Sequence, residues 1–292
     1  MEPIVEPIRV AIRDRVRGLV AGEPGRRTVE DLSSREDDGW YGADSPVRLI
    51  HADASMFPAG VRALLLQSLH PLPMAAVVDQ SGFRDDPWGR LQRTAAFIAR
   101  TTYGSSSQAA AACEVVRRVH GTVKGTTPDG RPYDASDPHL LEWVHVAEVD
   151  SFVKAHKVYG TTKLSAADYD RYADELARVA IELGVDDPPR TMAGVAERID
   201  AFRPELEGTQ AAREACRFLA RPRELGVAAQ VPYAAIFTAG AALLPAWARF
   251  MLRLPVFPVS ERLLLRPVAS QVLDVFRWAT NDAPSAARVT AA

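Results

Sequence analysis

Cysteine is nearly missing: Cys113 and Cys216 are the only two in 292 residues, and they do not form a CxxC pair. A disulfide framework or an all-thiolate metal knot is therefore excluded, and both read as small core residues in a reducing compartment. No charge of either sign dominates. With 35 basic against 37 acidic residues, nothing in the overall balance draws the chain to nucleic acid or to an anionic membrane. The sequence also lacks G-x-S-x-G, H-E-x-x-H, G-x-G-x-x-G and G-x-x-x-x-G-K-[ST], so the usual hydrolase, metalloprotease and nucleotide-binding sites have no footing. An unbroken apolar leader is absent too. Glu2, Glu6, Arg9, Arg13 and Asp14 interrupt the stretch where a secretory signal needs one, and the expectation is a cytoplasmic protein.

Long apolar runs are few, and one needs weighing. Residues 226–248, GVAAQVPYAAIFTAGAALLPAWA, carry no formal charge and are long enough to cross about 30 Å of hydrocarbon. Pro232, Pro245, Gln230, the prevalence of alanine and the arginines that follow argue against a span. A buried pair of helices lining an apolar cavity is the expectation, with peripheral membrane contact as the other reading.

What the chain has in abundance is helix signal. Apolar residues recur at three and four through residues 4–20, and the stretch 24–55 reads as loop anchored by Trp40 and Tyr41. Two short buried helices in series are expected through FPAGVRALLLQSLHPLPMAAVV, broken near Pro71 and Pro73. Helices follow from Asp86 to Gly104 and from the Ser105 cap to Gly121 or Gly125. A turn comes next, with a small hairpin around Asp129 and Gly130, and then a long helix opened by Asp137 and Pro138 and closed at Gly160. Further helices are expected at 165–184, 191–203, 209–220, 227–253 in pieces and 260–280. The fold class is all-α, a single globular multi-helix domain over residues 1–280, with 281–292 as a disordered tail.

The chemistry-bearing groups gather on three helices. Arg90, Arg93, Thr94, Phe97 and Thr101 recur at three and four on the first. His120 sits on an apolar stripe with Ala109, Ala112, Cys113, Val116, Val119 and Val123 on the second. Leu141, Val144, His145, Glu148 and Phe152 share a face of the third. Residue by residue, plainer accounts stand beside this one: His120 and His145 as core histidines, the arginines paired with Asp85 and Asp86 at the surface.

The segments HPLPMAAVVDQSGFRDDPWGRLQRTAAFIARTTYG and HGTVKGTTPDGRPYDASDPHLLEWVHVAEVDSF resemble the DUF2236 family, which includes the bacterial latex clearing proteins and the fungal MpaB oxygenase. The likeness is firm over about residues 50–160 and rests on RLxRT, HGxVxG, the turn with its DP, and WVH, in that order. It implies a globin-like helical core holding haem b, with an oxygenase activity that uses dioxygen or peroxide on an apolar substrate such as an isoprenoid-like alkene. By the same likeness His120 becomes the axial iron ligand. Arg90 and Thr94 match an arginine and a threonine near the haem, and Arg93 stands where some members have a distal lysine. His145 is implied to be structural or to lie near a propionate rather than to bind the iron, and residues 60–78 and 227–247 form the apolar surroundings. One departure is plain: the rubber-cleaving members place a glutamate ahead of RLxRT, whereas no carboxylate lies between Phe57 and Val78 here and the Met74 region takes its place. The resemblance therefore implies haem without implying polyisoprene cleavage. The competing readings are a non-catalytic haem or lipid-binding protein and a cofactor-free helical interaction protein.

Overall fold

The computed structural model describes residues 37–80, 86–222 and 226–280, together with positions 6, 7, 9–11, 13, 14, 18 and 32. The expected N-terminal helix is seen only at those scattered positions, where the backbone is helical. The remainder of residues 4–36 and the expected tail beyond 280 lie outside the described residues.

The chain is all-α, and its described residues form thirteen α-helices and one two-stranded ribbon. In order these are α1 Pro46–His51, α2 Met56–Gln67, α3 Pro71–Gln80, α4 Pro87–Tyr103, α5 Ser106–His120, β1 Lys124–Thr126, β2 Pro132–Asp134, α6 Pro138–Tyr159, α7 Ala166–Leu183 and α8 Met192–Phe202. After a 3-10 turn, Arg203–Glu205, come α9 Gln210–Ala220, α10 Val227–Ala242, α11 Ala246–Met251, α12 Pro258–Ser260, a π turn Glu261–Leu265 and α13 Arg266–Thr280.

Local chemistry sets most of these boundaries. Ser105 and Gln108 form a reciprocal capping box at the start of α5, and Ser165 and Asp168 do the same for α7. Asp137 caps α6 ahead of Pro138, and Gly184 closes α7 with φ 111°, a conformation that needs glycine. The expected hairpin is present: β1 and β2 pair antiparallel, with Gly125 opposite Tyr133 and Gly130 at φ 88° in the turn.

α6 is the axis. Fourteen of its 22 residues are buried, including Trp143, Val146, Val149 and Val153, so it has almost no solvent face. α2, α7, α8 and α1 surround it, α10 lies on the far side of α2, and α4 pairs with α5 beside α1 and α7. Gly240 lets α10 approach α2, since a Cβ there would meet the Pro58 carbonyl at 2.6 Å and the Val61 Cβ at 2.8 Å. The expected break between the two apolar helices is real: α2 and α3 meet at 104°.

Two expectations need correction. The run 226–248 forms no buried helix pair, because α10 buries Ile236, Ala239 and Ala241 on one side while Val231 is 77% exposed. Among the described residues no single helix is long and apolar enough to cross a membrane. Val119, expected on the inward stripe of α5, is exposed, because the real stripe runs Ala109, Cys113, Val116 and His120.

Within the apolar α2, Arg62 is buried at 2% exposure. Its guanidinium donates to Asp150 Oδ2 (2.6 Å) and Ser151 Oγ (2.6 Å) on α6 and to the Leu243 carbonyl (3.0 Å) beyond α10. Removing one partner strands a charge in the core, so Arg62→Met should cost about 3–5 kcal/mol in chemical denaturation. Adding Asp150→Leu should recover most of that loss. A single substitution costing under about 1 kcal/mol contradicts the clamp.

Candidate functional site

At about 100° per residue, Asp150 points away from His145 and Glu148 on α6. The Arg62 clamp therefore turns the latter pair towards α1 and α7. Neither has a hydrogen bond or ion pair among the described residues, and His145 Nε2 is a buried nitrogen without a partner. Both keep some accessible surface while packed round by protein. Burial alone brings the His145 pKa down to about 4 and pushes Glu148 up to about 7. The imidazole is therefore neutral near pH 7, and the carboxyl divides between its two forms.

His120 ends α5, half-buried, with Nδ1 buried and unpartnered. Its pKa is lowered by burial first and then by the nearby Arg90 guanidinium on α4. Arg90 itself is half-buried. The structure thus brings Arg90 and His120 together, in line with their place in the motif.

Arg93 and Thr94 are placed elsewhere. Arg93 is exposed and donates to Asp86 Oδ2 at 3.2 Å, and the exposed Thr94 returns its hydroxyl to the Arg90 carbonyl at 3.1 Å. The cause is local: Asp86 caps the same helix by accepting from the Gly89 amide and offers Arg93 an acid two turns back.

A polar network that the motifs did not announce stands next to Glu148. His51 on α1 bridges Thr102 Oγ1 (2.8 Å, Nδ1) and Tyr172 Oη (3.0 Å, Nε2), and its ring meets Phe152 edge-on at 5.5 Å. Burial lowers the His51 pKa to about 3. The Tyr172 hydroxyl is held well above its usual range by burial and then by Glu148, which places that carboxyl beside the network. The signal was faint: Tyr172 lies on the buried stripe Tyr169, Tyr172, Ala173, Leu176, which reads as ordinary core.

A second cluster brings His70, His139 and Glu205 ligand atoms within 4.8 Å of one another. Here the Leu72 amide donates to His70 Nδ1 at 3.3 Å, which puts the ring proton on Nε2, facing Glu205 at the same distance. His139 Nε2 meets the same carboxylate at 2.9 Å. Metal-bound histidines normally keep a proton on the distal nitrogen, so this cluster is better described as a hydrogen-bonded tie between the α2–α3 corner, α6 and the 3-10 turn.

The family model described as "ER-bound oxygenase mpaB/B'/Rubber oxygenase, catalytic domain" matches residues 47–279. No curated protein and no solved structure matches the chain.

The unpartnered groups make stability depend on pH in two opposed ways. His145 binds its proton more weakly folded than unfolded, so its contribution is intact above about 6.5 and is lost as pH falls towards about 4. Glu148 is the reverse: folding favours its protonated form, and stability is lost as pH rises from about 4.5 through about 7. Relative to wild type, Glu148→Gln should therefore gain stability across that second interval, by up to about 1.4 kcal/mol per pH unit in urea titrations. A difference between the two proteins that stays flat with pH contradicts the burial of this carboxyl.

Proposed function

This chain belongs to the oxygenase family of mpaB and rubber oxygenase catalytic domains, and on that premise we propose a haem b-dependent oxygenase acting on an apolar substrate, with His120 as the residue that would hold the iron. The observation that carries this reading is His120 itself: a neutral, half-buried imidazole, without a hydrogen-bond partner, at the end of a helix and beside an arginine. Buried polar atoms in native cores are nearly always paired, so the orphaned nitrogens of His120 and His145 fit a group that approaches from outside the chain. Neutral imidazole is the form that binds haem iron.

A b-type haem held there supplies activation of dioxygen or peroxide and the oxidation of a carbon-carbon double bond, the substrate reading being an isoprenoid-like alkene. The chain's own groups have distinct tasks. Arg90 offers a fixed cation to carboxylate side groups of the porphyrin. Phe152 and the other apolar walls of α6 limit the access of water. The Glu148 carboxyl, divided near pH 7, can hold or release a proton at its oxygen, and His51 and Tyr172 form a neutral relay behind it. Glu148 thus takes the place of the acid missing between Phe57 and Val78, which weakens the case for a non-catalytic carrier. On this placement Arg93 and Thr94 are surface residues outside the reaction.

Protein purified from haem-replete cells should show a Soret band that His120→Ala loses and His145→Ala keeps. A colourless, folded wild type that takes up no added haemin overturns the reading. With an apolar alkene and oxygen, Glu148→Gln should keep the band but lower turnover by about 10²–10⁴ and erase the pH dependence near 7. Unchanged turnover assigns Glu148 to packing and returns the carrier reading.

A further inference from the structure

The segment from α11 to α13 exposes an unusual amount of apolar surface. Phe250 is 84% exposed, and Phe257, Val259, Leu263 and Leu264 are each 60% or more. Such a patch on an otherwise ordinary surface marks an interaction site. The π turn is the reason three leucines in a row, Leu263 to Leu265, all point outward while Glu261 points in. Next to them, α10 and α13 leave an apolar groove walled by Val231, Pro232, Leu265 and Val268.

The charges within the segment have one sign. Between Phe250 and Leu273 the single carboxylate is Glu261, buried and committed to Arg249 (3.0 and 2.5 Å) and to the Phe257 amide (2.9 Å). That buried pair ties the two ends of the exposed loop together. Arg253, Arg262 and Arg266 are all exposed, and among the described residues none forms an ion pair, Arg266 acting on the buried Glu261 only at longer range. Large apolar side chains interleaved with exposed arginines are complementary to a bilayer surface with anionic headgroups, the apolar groups entering the acyl boundary and the guanidiniums meeting phosphate. A two-fold contact with a second copy would instead set these arginines against each other.

We propose that Phe250–Val268 is a membrane-docking face that seats the protein on anionic lipid without spanning the bilayer. This holds whether or not His120 binds iron.

The test is co-sedimentation of the full chain with phosphatidylcholine vesicles, with and without phosphatidylserine. Binding should require phosphatidylserine and weaken with salt. Arg262→Gln with Arg266→Gln should lower affinity about fivefold per arginine. Arg253→Gly should do likewise, at a position where φ is 57° and glycine fits the backbone better, so folding is not compromised. The triple change Phe257→Ser, Leu263→Ser, Leu264→Ser, all at exposed positions, should lower it at least about a hundredfold with the melting curve preserved. Absence of vesicle binding, or binding unaffected by these changes, overturns the proposal. A wild-type dimer in gel filtration that the triple change converts to monomer assigns the face to self-association instead.

Discussion

The ion pair between Arg62 and Asp150 governs how the rest of the molecule is arranged. Arg62 is the one formal charge between Phe57 and Val78, and an arginine taken into such surroundings persists only with a full set of acceptors. Asp150, Ser151 and the Leu243 carbonyl supply them, so one side chain fixes α2, α6 and the end of α10 in mutual register. The rotation of α6 follows. With Asp150 held against α2, the face bearing His145 and Glu148 has to look the other way, into the space that α1 and α7 share with it.

Elsewhere in the core, polar groups are at least partly met: Trp143 Nε1 reaches the Gln67 carbonyl, while His156 and Arg249 bond Tyr169 and Glu261 and still leave His156 Nε2 and Arg249 Nε without partners. Around α5 and the inner face of α6, two imidazoles and a carboxyl remain without partners. Desolvation holds both imidazoles neutral at physiological pH and keeps the Glu148 carboxyl partly protonated. Such groups destabilise the chain on its own, which is the pattern of a site shaped for a ligand rather than for packing.

Much of this was legible before any coordinates. Caps and stops located α4 to α9 because Ser105, Asp137, Ser165 and Thr209 make local hydrogen bonds that depend on few distant residues. The nearness of Arg90 and His120 was legible as a motif, and that of His145 and Glu148 as an i, i+3 pair. Arg93 and Thr94 were misleading, since periodicity gives a face but not the choice a long side chain makes between the interior and a nearby carboxylate such as Asp86. The His51, Thr102 and Tyr172 network was invisible because its members lie 51 and 121 residues apart. The outward face of the π turn escaped for another reason: the expectation of a helix over 260–280 carries no account of which side of it meets solvent, and the turn there is wider than an α-helical one.

Ligation through one imidazole is tested most directly by replacing it with a diffusible one. His120→Gly protein, given haemin, should bind it weakly with an altered visible spectrum, and free imidazole should restore the wild-type band. An unaltered spectrum in His120→Gly without imidazole would show that the iron is held elsewhere and would contradict the account.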